Sequence, residues 1–253
     1  MGFKNNLKSC FLFMSLMVVI YLYLPTFCYG QENYYTRATY YGSPDCLGTP
    51  SGACGFGEYG RSINDGVVSG VSRLFKNGSG CGACYQVRCK IPAYCNDDGV
   101  KVVVTDYGEG DRTDFILSTA AYARLARPDM SEKLFAYGVV DVEFRRIQCR
   151  YNYNLFFKVH EHSKYPLYLA VIPIYQPGVF EITAVEIWLE DCKQWRPMRR
   201  AFGAVFDTPN PPLGAITLRY QANFYGEVSW VQLNSLIPAD WKAGYAYDTG
   251  IST

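Results

Sequence analysis

Gly80-Cys81-Gly82-Ala83-Cys84-Tyr85 is the stretch of sequence that constrains the fold most, because it places two cysteines close together. Cys89 and Cys95 follow, so two, four and five residues separate the four cysteines. A zinc site would need a second close cysteine pair or nearby histidines, and a redox motif would need a βαβ context. Neither pattern surrounds this cluster. The spacing therefore favours disulfide bonds over a metal centre, and no cofactor is expected.

The N-terminal residues indicate which compartment these cysteines reach. Lys4 and Lys8 precede an apolar run at residues 11–24, and small residues precede a plausible cleavage point after residue 30. The run is shorter than the ~20 residues that a membrane-spanning helix needs, and Pro25 ends it. We therefore expect residues 1–30 to be a signal peptide and the mature protein to be secreted into an oxidising, extracellular space.

The composition describes a folded chain and excludes two kinds of partner. Hydrophobic residues make up 49% of the chain and charged residues 19%, which is incompatible with disorder. The 24 Lys and Arg against 23 Asp and Glu give no basic excess, so no nucleic-acid partner is expected. No stretch after the first 30 residues is long and apolar enough to span a membrane, so no membrane association is expected after cleavage.

The distribution of cysteines predicts two domains. Cleavage at residue 30 removes Cys10 and Cys28 and leaves eight cysteines, of which seven lie between Cys46 and Cys149. Only Cys192 lies beyond, so the chain changes character near residue 150. We predict one domain at residues 31–150 and a second at residues 155–253, joined by a short, packed connection.

Short β-type runs separated by glycine and proline dominate both predicted domains. In the first domain the predicted strands are residues 34–41, 85–89, 100–105 and 139–145, with one helix at residues 118–126. In the second they are residues 155–160, 168–175, 182–189, 203–206, 215–222 and 228–233. The predicted fold class is therefore mostly all-β.

Six short motifs occur in the order in which a known family carries them. They are Ala38-Thr39-Tyr40-Tyr41-Gly42, Gly52-Ala53-Cys54-Gly55-Phe56-Gly57, Gly80-Cys81-Gly82-Ala83-Cys84-Tyr85, Val104-Thr105-Asp106, Phe144-Arg145-Arg146-Ile147-Gln148-Cys149 and Ile237-Pro238-Ala239-Asp240-Trp241. Through these motifs the sequence resembles the plant expansin family, and most closely its expansin-like B branch. The resemblance covers nearly the whole chain after residue 36.

The resemblance implies a fold and a disulfide framework. It implies a six-stranded double-psi β-barrel, similar to family-45 endoglucanases, at residues 31–150, and an immunoglobulin-like, cellulose-binding β-sandwich at residues 155–253. The implied disulfides are Cys54–Cys81, Cys84–Cys149 and Cys89–Cys95. Cys46 and Cys192 remain, and either they pair across the domain interface or they are two unpaired, buried thiols. The sequence leaves both alternatives open.

The carboxylates that hydrolysis would need are incomplete in this comparison. Inverting glycoside hydrolysis needs one carboxylic acid and a separate carboxylate base. Gly42 stands at the position of the base in family-45 endoglucanases, and Ile116 stands at the position of the acid. Asp114 lies two residues before Ile116 and is a possible substitute, while Asp106 matches the aspartate of the family's groove. We therefore predict no catalytic activity, with Asp114 and Asp106 as the candidate catalytic residues if that prediction is wrong.

The candidate polysaccharide-binding residues come from the same resemblance and from aromatic stacking on glucose rings. In the barrel they are Thr39, Tyr41, Asp106 and Tyr107. In the sandwich they are Trp195, Phe202 and Phe206, and the last two are expected to alternate along one strand so that both rings point the same way. Trp188, Trp230 and Trp241 are predicted to be core residues because each lies in or beside an apolar run.

Two smaller features complete the candidates. His160-Glu161-His162 resembles part of a metal site, but no third ligand is near in sequence, so we predict a surface pair and no metal. Asn77-Gly78-Ser79 makes Asn77 a candidate for glycosylation in a secreted chain.

The predicted function follows from these features and the resemblance. We expect a secreted, monomeric cell-wall protein that binds cellulose and xyloglucan and loosens non-covalent contacts between polysaccharide chains without hydrolysis. Two alternatives stay open. One is an endoglucanase-like hydrolase that uses Asp114 or Asp106, and the other is a purely adhesive wall-binding module.

Overall fold

The structure, a computed structural model, describes residues 33–253, which form fifteen strands and a few short helices. The strands are β1 Tyr34–Tyr41, β2 Val68–Val71, β3 Cys84–Cys89, β4 Val100–Tyr107, β5 Thr113–Ser118, β6 Val140–Ile147, β7 Asn154–Val159, β8 Tyr168–Ile174, β9 Glu181–Leu189, β10 Gln194–Pro197, β11 Arg199–Phe202, β12 Val205–Pro209, β13 Ile216–Phe224, β14 Glu227–Ile237 and β15 Ala246–Ser252. The helices are α1 Glu58–Ser62, α2 Thr119–Ala123 and α3 Ser131–Phe135, with 3-10 turns at Ile63–Gly66 and Arg73–Gly78. The predicted signal peptide at residues 1–30 lies outside the described residues.

The first six strands close into a barrel in the order β1-β5-β2-β4-β3-β6. The pairs β1–β5 and β2–β4 are parallel, and the other neighbouring pairs are antiparallel. Phe115 and Phe144 pack edge to face inside, with ring centroids 5.0 Å apart, and Tyr85 contacts both rings. The predicted fold class, mostly β with a six-stranded barrel, is confirmed.

The remaining strands form a β-sandwich. One sheet has the order β10-β9-β13-β14, and the other has the order β11-β12-β8-β7-β15. Fully buried side chains from both sheets meet between them, including Phe157 and Leu169 from one sheet and Ile187, Leu218 and Tyr220 from the other.

The barrel packs on the outer face of the five-stranded sheet. Along β8, Leu169 and Val171 point into the sandwich, whereas Ala170, Ile172 and Ile174 belong to the hydrophobic cluster that includes the barrel interior. Successive side chains of a strand point to opposite faces, so β8 is apolar on both. This double burial explains why β8 reads as a nearly continuous apolar run.

Three disulfides lie in the barrel segment: Cys54–Cys81, Cys84–Cys149 and Cys89–Cys95. They are the three that the resemblance implied. The Cys84–Cys149 bond ties the start of β3 to the segment that follows β6, close to where the chain leaves the barrel.

The two remaining cysteines, Cys46 and Cys192, are unpaired, as the second alternative held, but both are exposed rather than buried. Glu181, at the start of β9, makes an ion pair with Arg146 of the barrel. Cys192 lies beyond Leu189, at the other end of that strand, which spans about 27 Å. A disulfide needs Cα atoms within about 7 Å of each other, and the length of β9 places Cys192 far from this contact with the barrel.

Within residues 33–253, no helix is long and apolar enough to cross a membrane.

Candidate functional site

Four residues on neighbouring barrel strands form one row. Thr39 of β1 is paired with Ile116 of β5, Ile116 with Gly70 of β2, and Gly70 with Asp106 of β4. Residues directly opposite one another in a sheet share a face. The residues that alternate with this row, including Phe115 and Val71, are fully buried, whereas Ile116 and Asp106 are partly exposed. The row therefore lies on the partly exposed outer face of the barrel, where the resemblance predicts a groove.

Asp106 is the one carboxyl on this row. Its Oδ1 atom accepts hydrogen bonds from the backbone N–H of Ala53 at 2.6 Å and of Tyr107 at 2.8 Å. Burial raises the pKa of Asp106, and the hydrogen bond from Ala53 only partly opposes that shift. The second oxygen is left to hydrogen-bond a ligand in the groove.

Tyr41 lies two residues after Thr39 on β1, so its side chain points to the same face as the row. The Tyr41 hydroxyl is buried and has no hydrogen-bond partner among residues 33–253. Burial, together with the negative charges of Asp106 and Asp45, raises the pKa of Tyr41 to about 12, so the hydroxyl stays protonated. The Thr39 hydroxyl donates to the carbonyl of Gly138 at 2.8 Å. The Tyr41 hydroxyl is therefore a buried group without a partner among residues 33–253, while the proton of Thr39 is already used.

Asp114 is buried and engaged in an ion pair. It is 3% exposed and accepts hydrogen bonds from the Ser72 hydroxyl at 2.9 Å and from Arg73 Nε at 3.0 Å, while Arg73 Nη2 reaches its second oxygen. Burial alone would raise the pKa of this carboxyl, but the hydrogen bonds from Arg73, Ser72 and Thr36 and the charge of Arg73 lower it. Asp114 is thus held ionised, which does not suit a proton donor.

Tyr107 lies beside the row. Its ring is 42% exposed and packs edge to face on Phe75, with centroids 5.3 Å apart. Because Tyr107 directly follows Asp106 on β4, its side chain points to the other side of the strand from the row. The structure therefore places the Tyr107 ring outside the row.

The prediction for Phe206 is wrong. Phe206 is 1% exposed and belongs to the sandwich core, whereas Phe202 is 48% exposed. The two residues lie on different strands, β11 and β12, with a turn at Gly203 and Ala204 and a register shift between Arg200 and Phe202. Alternation along one strand, on which the prediction depended, does not apply across a hairpin.

Phe202 lies where the sandwich meets the barrel. A Cβ placed on Gly55 would be 2.7 Å from the Phe202 ring, and Ala204 N–H donates to the carbonyl of Cys54 at 3.0 Å. The neighbouring Ala53 donates to Asp106, so one loop contacts both the groove floor and this hairpin. This loop connects the groove to an exposed aromatic ring on the sandwich.

Two exposed apolar side chains in the turn between β7 and β8 were not predicted from the sequence. Tyr165 and Leu167 are exposed in the turn between β7 and β8, and Tyr165 packs edge to face on buried Trp241, with centroids 5.1 Å apart. His160, before this turn, contacts Phe202 at 6.1 Å between centroids. In the sequence, only the positions of Tyr165 and Leu167 on either side of Pro166 could have indicated exposed apolar side chains in a turn.

Trp195 lies on the other sheet of the sandwich, away from Phe202. It contacts Trp188, with centroids 5.3 Å apart, and the guanidinium of Arg219 lies 4.4 Å from the ring centres of both Trp195 and Trp230. Trp230 is 39% exposed and Trp188 is partly exposed, so the prediction that they are core residues is wrong. Trp241 is buried, as predicted.

The candidate glycosylation site at Asn77 and the pair of histidines, His160 and His162, both lie in turns. Asn77 is exposed and has a positive φ of 54°, and Ser79 donates to a carboxylate oxygen of Glu181 at 3.2 Å. His160 Nδ1 accepts a hydrogen bond from the backbone N–H of His162 at 3.2 Å. Within the described part of the chain, no three potential metal-ligating side chains come together.

Comparison with known proteins agrees with this architecture. The family model described as "Expansin C-terminal domain" matches residues 155–238, and the model described as "Lytic transglycolase" matches residues 67–144. The chain is similar to Expansin-like B1 of Arabidopsis thaliana, with 55% identity over 97% of this chain and 99% of that protein. It is also similar to Expansin-like A2 of the same plant, with 36% identity over 95% of this chain and 91% of that protein.

A solved structure shows the same fold. The crystal structure of the apo expansin of Clavibacter michiganensis has a TM-score of 0.65 and 20% identity, and the match covers 87% of this chain and 98% of that one. A second similar structure is a point variant of that expansin in complex with cellohexaose, with a TM-score of 0.65 and 19% identity over 86% of this chain and 96% of that one. From its near-complete match to Expansin-like B1, the chain belongs to the expansin family and resembles the expansin-like B branch.

Proposed function

We propose that this protein is a secreted plant cell-wall protein that binds cellulose and xyloglucan and loosens non-covalent contacts between polysaccharide chains without hydrolysis. It acts as a monomer of two domains, with residues 31–150 as the barrel domain and residues 155–253 as the cellulose-binding sandwich. Membership of the expansin family supports the proposal, and so does the cellohexaose complex of the similar bacterial expansin.

The observation that carries the proposal is the pair of side chains facing each other across Gly70. Asp106 stands on one side and Ile116, which cannot transfer a proton, stands on the other. The nearest further carboxyl on β5 is Asp114, which is ionised and bound to Arg73. Inverting hydrolysis needs an acid and a base that hold a water molecule between them. The groove floor offers one suitable carboxyl and so favours binding over cleavage.

The mechanism is differential binding. Asp106 provides an acceptor on the barrel surface, and Phe202 provides an exposed ring for stacking on a sugar. The loop containing Ala53 connects these groups, so one glucan chain can contact both. If the surface holds a chain better when it is twisted away from its neighbours, binding lowers the free-energy cost of separating the chains.

The test is a wall-extension assay run together with a measurement of reducing-sugar release. We expect the purified mature protein to extend stretched walls without sustained sugar release, and Asp106→Asn to weaken extension. The matched control is Asp97→Asn, which changes an exposed aspartate elsewhere on the barrel. Sustained sugar release that disappears in Asp106→Asn or Asp114→Asn would instead identify a hydrolase. Wall binding without any extension would identify an adhesive module.

A further inference from the structure

A wide, open cavity on the barrel lies next to the Asp106 row. The starts of β1 and β5 and the end of β4 line it, and two exposed tyrosines, Tyr35 and Tyr107, contribute aromatic rings. Arg73 and Asp114 also line it. The cavity therefore combines aromatic surface with fixed polar groups, which is the usual composition of a sugar-binding site.

The charges around the cavity are nearly balanced. Its basic lining residues are Arg37, Arg73, Lys90 and Arg112, and its acidic lining residues are Glu109, Asp114 and Asp141. A strongly charged ligand would meet groups of its own sign as well as opposite ones, which electrostatic complementarity disfavours. The lining suits a neutral, polyhydroxylated ligand.

Arg73 has the geometry of a preset hydrogen-bond donor. Its Nε and Nη2 atoms donate to the two oxygens of buried Asp114, yet its side chain is 80% exposed. A guanidinium carries five N–H donors, and the pair with Asp114 uses two. Within residues 33–253, Arg73 makes no hydrogen bond other than those to Asp114. The remaining donors are therefore available, and the buried carboxylate restricts the rotation of the group that carries them.

We propose that Arg73 donates hydrogen bonds to hydroxyls of a neutral glucan chain in this cavity, and that Asp114 is a positioning residue that fixes Arg73 for this contact. The subsite rests on the proposed function and extends it from the Asp106 row to the cavity beside Tyr107. It also gives Asp114 a role that replaces the catalytic one considered from the sequence.

The sandwich contains a matched control pair. Arg199 is 77% exposed and donates from Nε and Nη2 to the two oxygens of Asp207, which is 3% exposed. Neither residue lines the cavity. Replacing Arg199 removes the same kind of ion pair as replacing Arg73 does, so the two variants separate a general structural effect from a loss of ligand contact.

The experiment is calorimetric titration of the mature protein with cellohexaose, combined with a double-mutant cycle. We expect Arg73→Ala to weaken binding about tenfold and Asp114→Asn to weaken it several-fold. In the Arg73→Ala background, Asp114→Asn should add less than a twofold effect, because a positioning residue acts only through its partner. Arg199→Ala should leave the affinity unchanged. If Asp114→Asn does not fold, Arg73→Lys, which keeps the charge but loses the forked geometry, provides the test of positioning.

Three results would overturn the inference. The first is unchanged affinity in Arg73→Ala while wild type binds cellohexaose, which would leave the proposed function intact. The second is an equal loss in Arg73→Ala and Arg199→Ala. The third is tighter binding of an oligogalacturonide than of cellohexaose by the wild type, with Arg73→Ala weakening oligogalacturonide binding more than cellohexaose binding. This result would assign the cavity to acidic sugars. A wild-type protein that binds neither cellohexaose nor insoluble cellulose would contradict the proposed function itself and this subsite with it.

Discussion

Asp106 and Asp114 both lie on barrel strands, β4 and β5, yet their surroundings shift their pKa values in opposite directions. Burial raises the pKa of Asp106, because the hydrogen bond from Ala53 does not fully replace lost hydration. Burial acts on Asp114 in the same sense, but hydrogen bonds from Arg73, Ser72 and Thr36 and the nearby positive charge outweigh it. Hydrogen bonding, rather than depth alone, decides the direction in which the pKa of each carboxyl shifts.

These shifts predict a pH dependence of stability with opposite signs. The contribution of Asp114, whose folded pKa is lowered, is present above the unfolded pKa of about 4 and is lost as pH falls through the folded value. The contribution of Asp106, whose folded pKa is raised, is present below about pH 4 and is lost as pH rises through the folded value. We expect Asp114→Asn to reduce the fall in Tm as the pH is lowered. We expect Asp106→Asn to reduce the loss of stability that accompanies a rise in pH through the folded pKa of Asp106.

Thermal unfolding of the variants across this pH range, with Asp97→Asn as the exposed control, provides the measurement. Removal of the charged hydrogen bonds should also make Asp114→Asn less stable than wild type by about 1–3 kcal/mol at neutral pH. An acid slope identical to that of wild type would show that Asp114 is not held ionised by its partners.

At the scale of elements, the β11–β12 hairpin shows what local patterning misses. The run of residues 203–206 was predicted as one strand, but Gly203 and Ala204 form a turn whose backbone approaches the barrel. Gly203 has a positive φ of 47°, and a Cβ at Gly78 would lie 2.1 Å from its carbonyl oxygen. Close approach of two backbones, not hydrophobic alternation, determines the course of the chain here.

The hairpin predicts different outcomes for its two phenylalanines. Phe206→Ala should lower the free energy of unfolding by about 3–5 kcal/mol, because it leaves a cavity in the sandwich core. Phe202→Ala should change it by less than about 1 kcal/mol and weaken the pull-down of the protein by cellulose, because the ring is exposed beside the barrel. Denaturant unfolding and cellulose pull-down measure the two effects.

Phe224 provides the control for this pair, because its ring is equally exposed but lies at the end of β13 in the other sheet. Phe224→Ala should leave cellulose binding unchanged. If Phe202→Ala destabilised the protein as much as Phe206→Ala and left binding intact, Phe202 would be a structural contact only.

Two barrel strands, β2 and β5, had no signal in the sequence. β2 has four residues, including Ser69 and Gly70, and all four are buried without alternation. β5 contains Asp114, which in the sequence belongs to a polar, turn-like region. Pairing with neighbouring strands, which the sequence does not display, makes both segments extended. The predicted helix at residues 118–126 is present but shorter, beginning after the Ser118 side chain caps the N–H of Ala121.

At the scale of the whole molecule, the barrel and the five-stranded sheet share one hydrophobic cluster. Ile172 and Val205 of the sandwich belong to the same cluster as Val87 and Phe115 of the barrel. Glu181 adds a polar contact, since it accepts hydrogen bonds from Lys76, Ser79 and Arg146. Apolar burial and ion pairing therefore hold the two parts together without any disulfide between them among residues 33–253.

The structure also predicts the cysteine chemistry of the mature protein. Under native, non-reducing conditions, alkylation should label two thiols among residues 33–253, Cys46 and Cys192, because both are exposed and unpaired. A peptide map should then recover the three barrel disulfides as cross-linked peptides. The double variant Cys46→Ser plus Cys192→Ser serves as the unlabelled control and should unfold within about 0.5 kcal/mol of wild type. A peptide linking Cys46 to Cys192 would contradict the structure.

The sequence by itself determined the mostly β character of the chain and its place in the expansin family through six ordered motifs, and it nominated Thr39, Tyr41 and Asp106 as candidate binding residues. These features depend on local composition and on motif order, which are visible in one dimension. Only the tertiary structure decided that Asp114 binds Arg73, that Phe202 and Phe206 face different surroundings, and that Cys46 and Cys192 stay apart. Each of these outcomes depends on strand pairing between residues distant in sequence, and on which groups burial brings within hydrogen-bond distance.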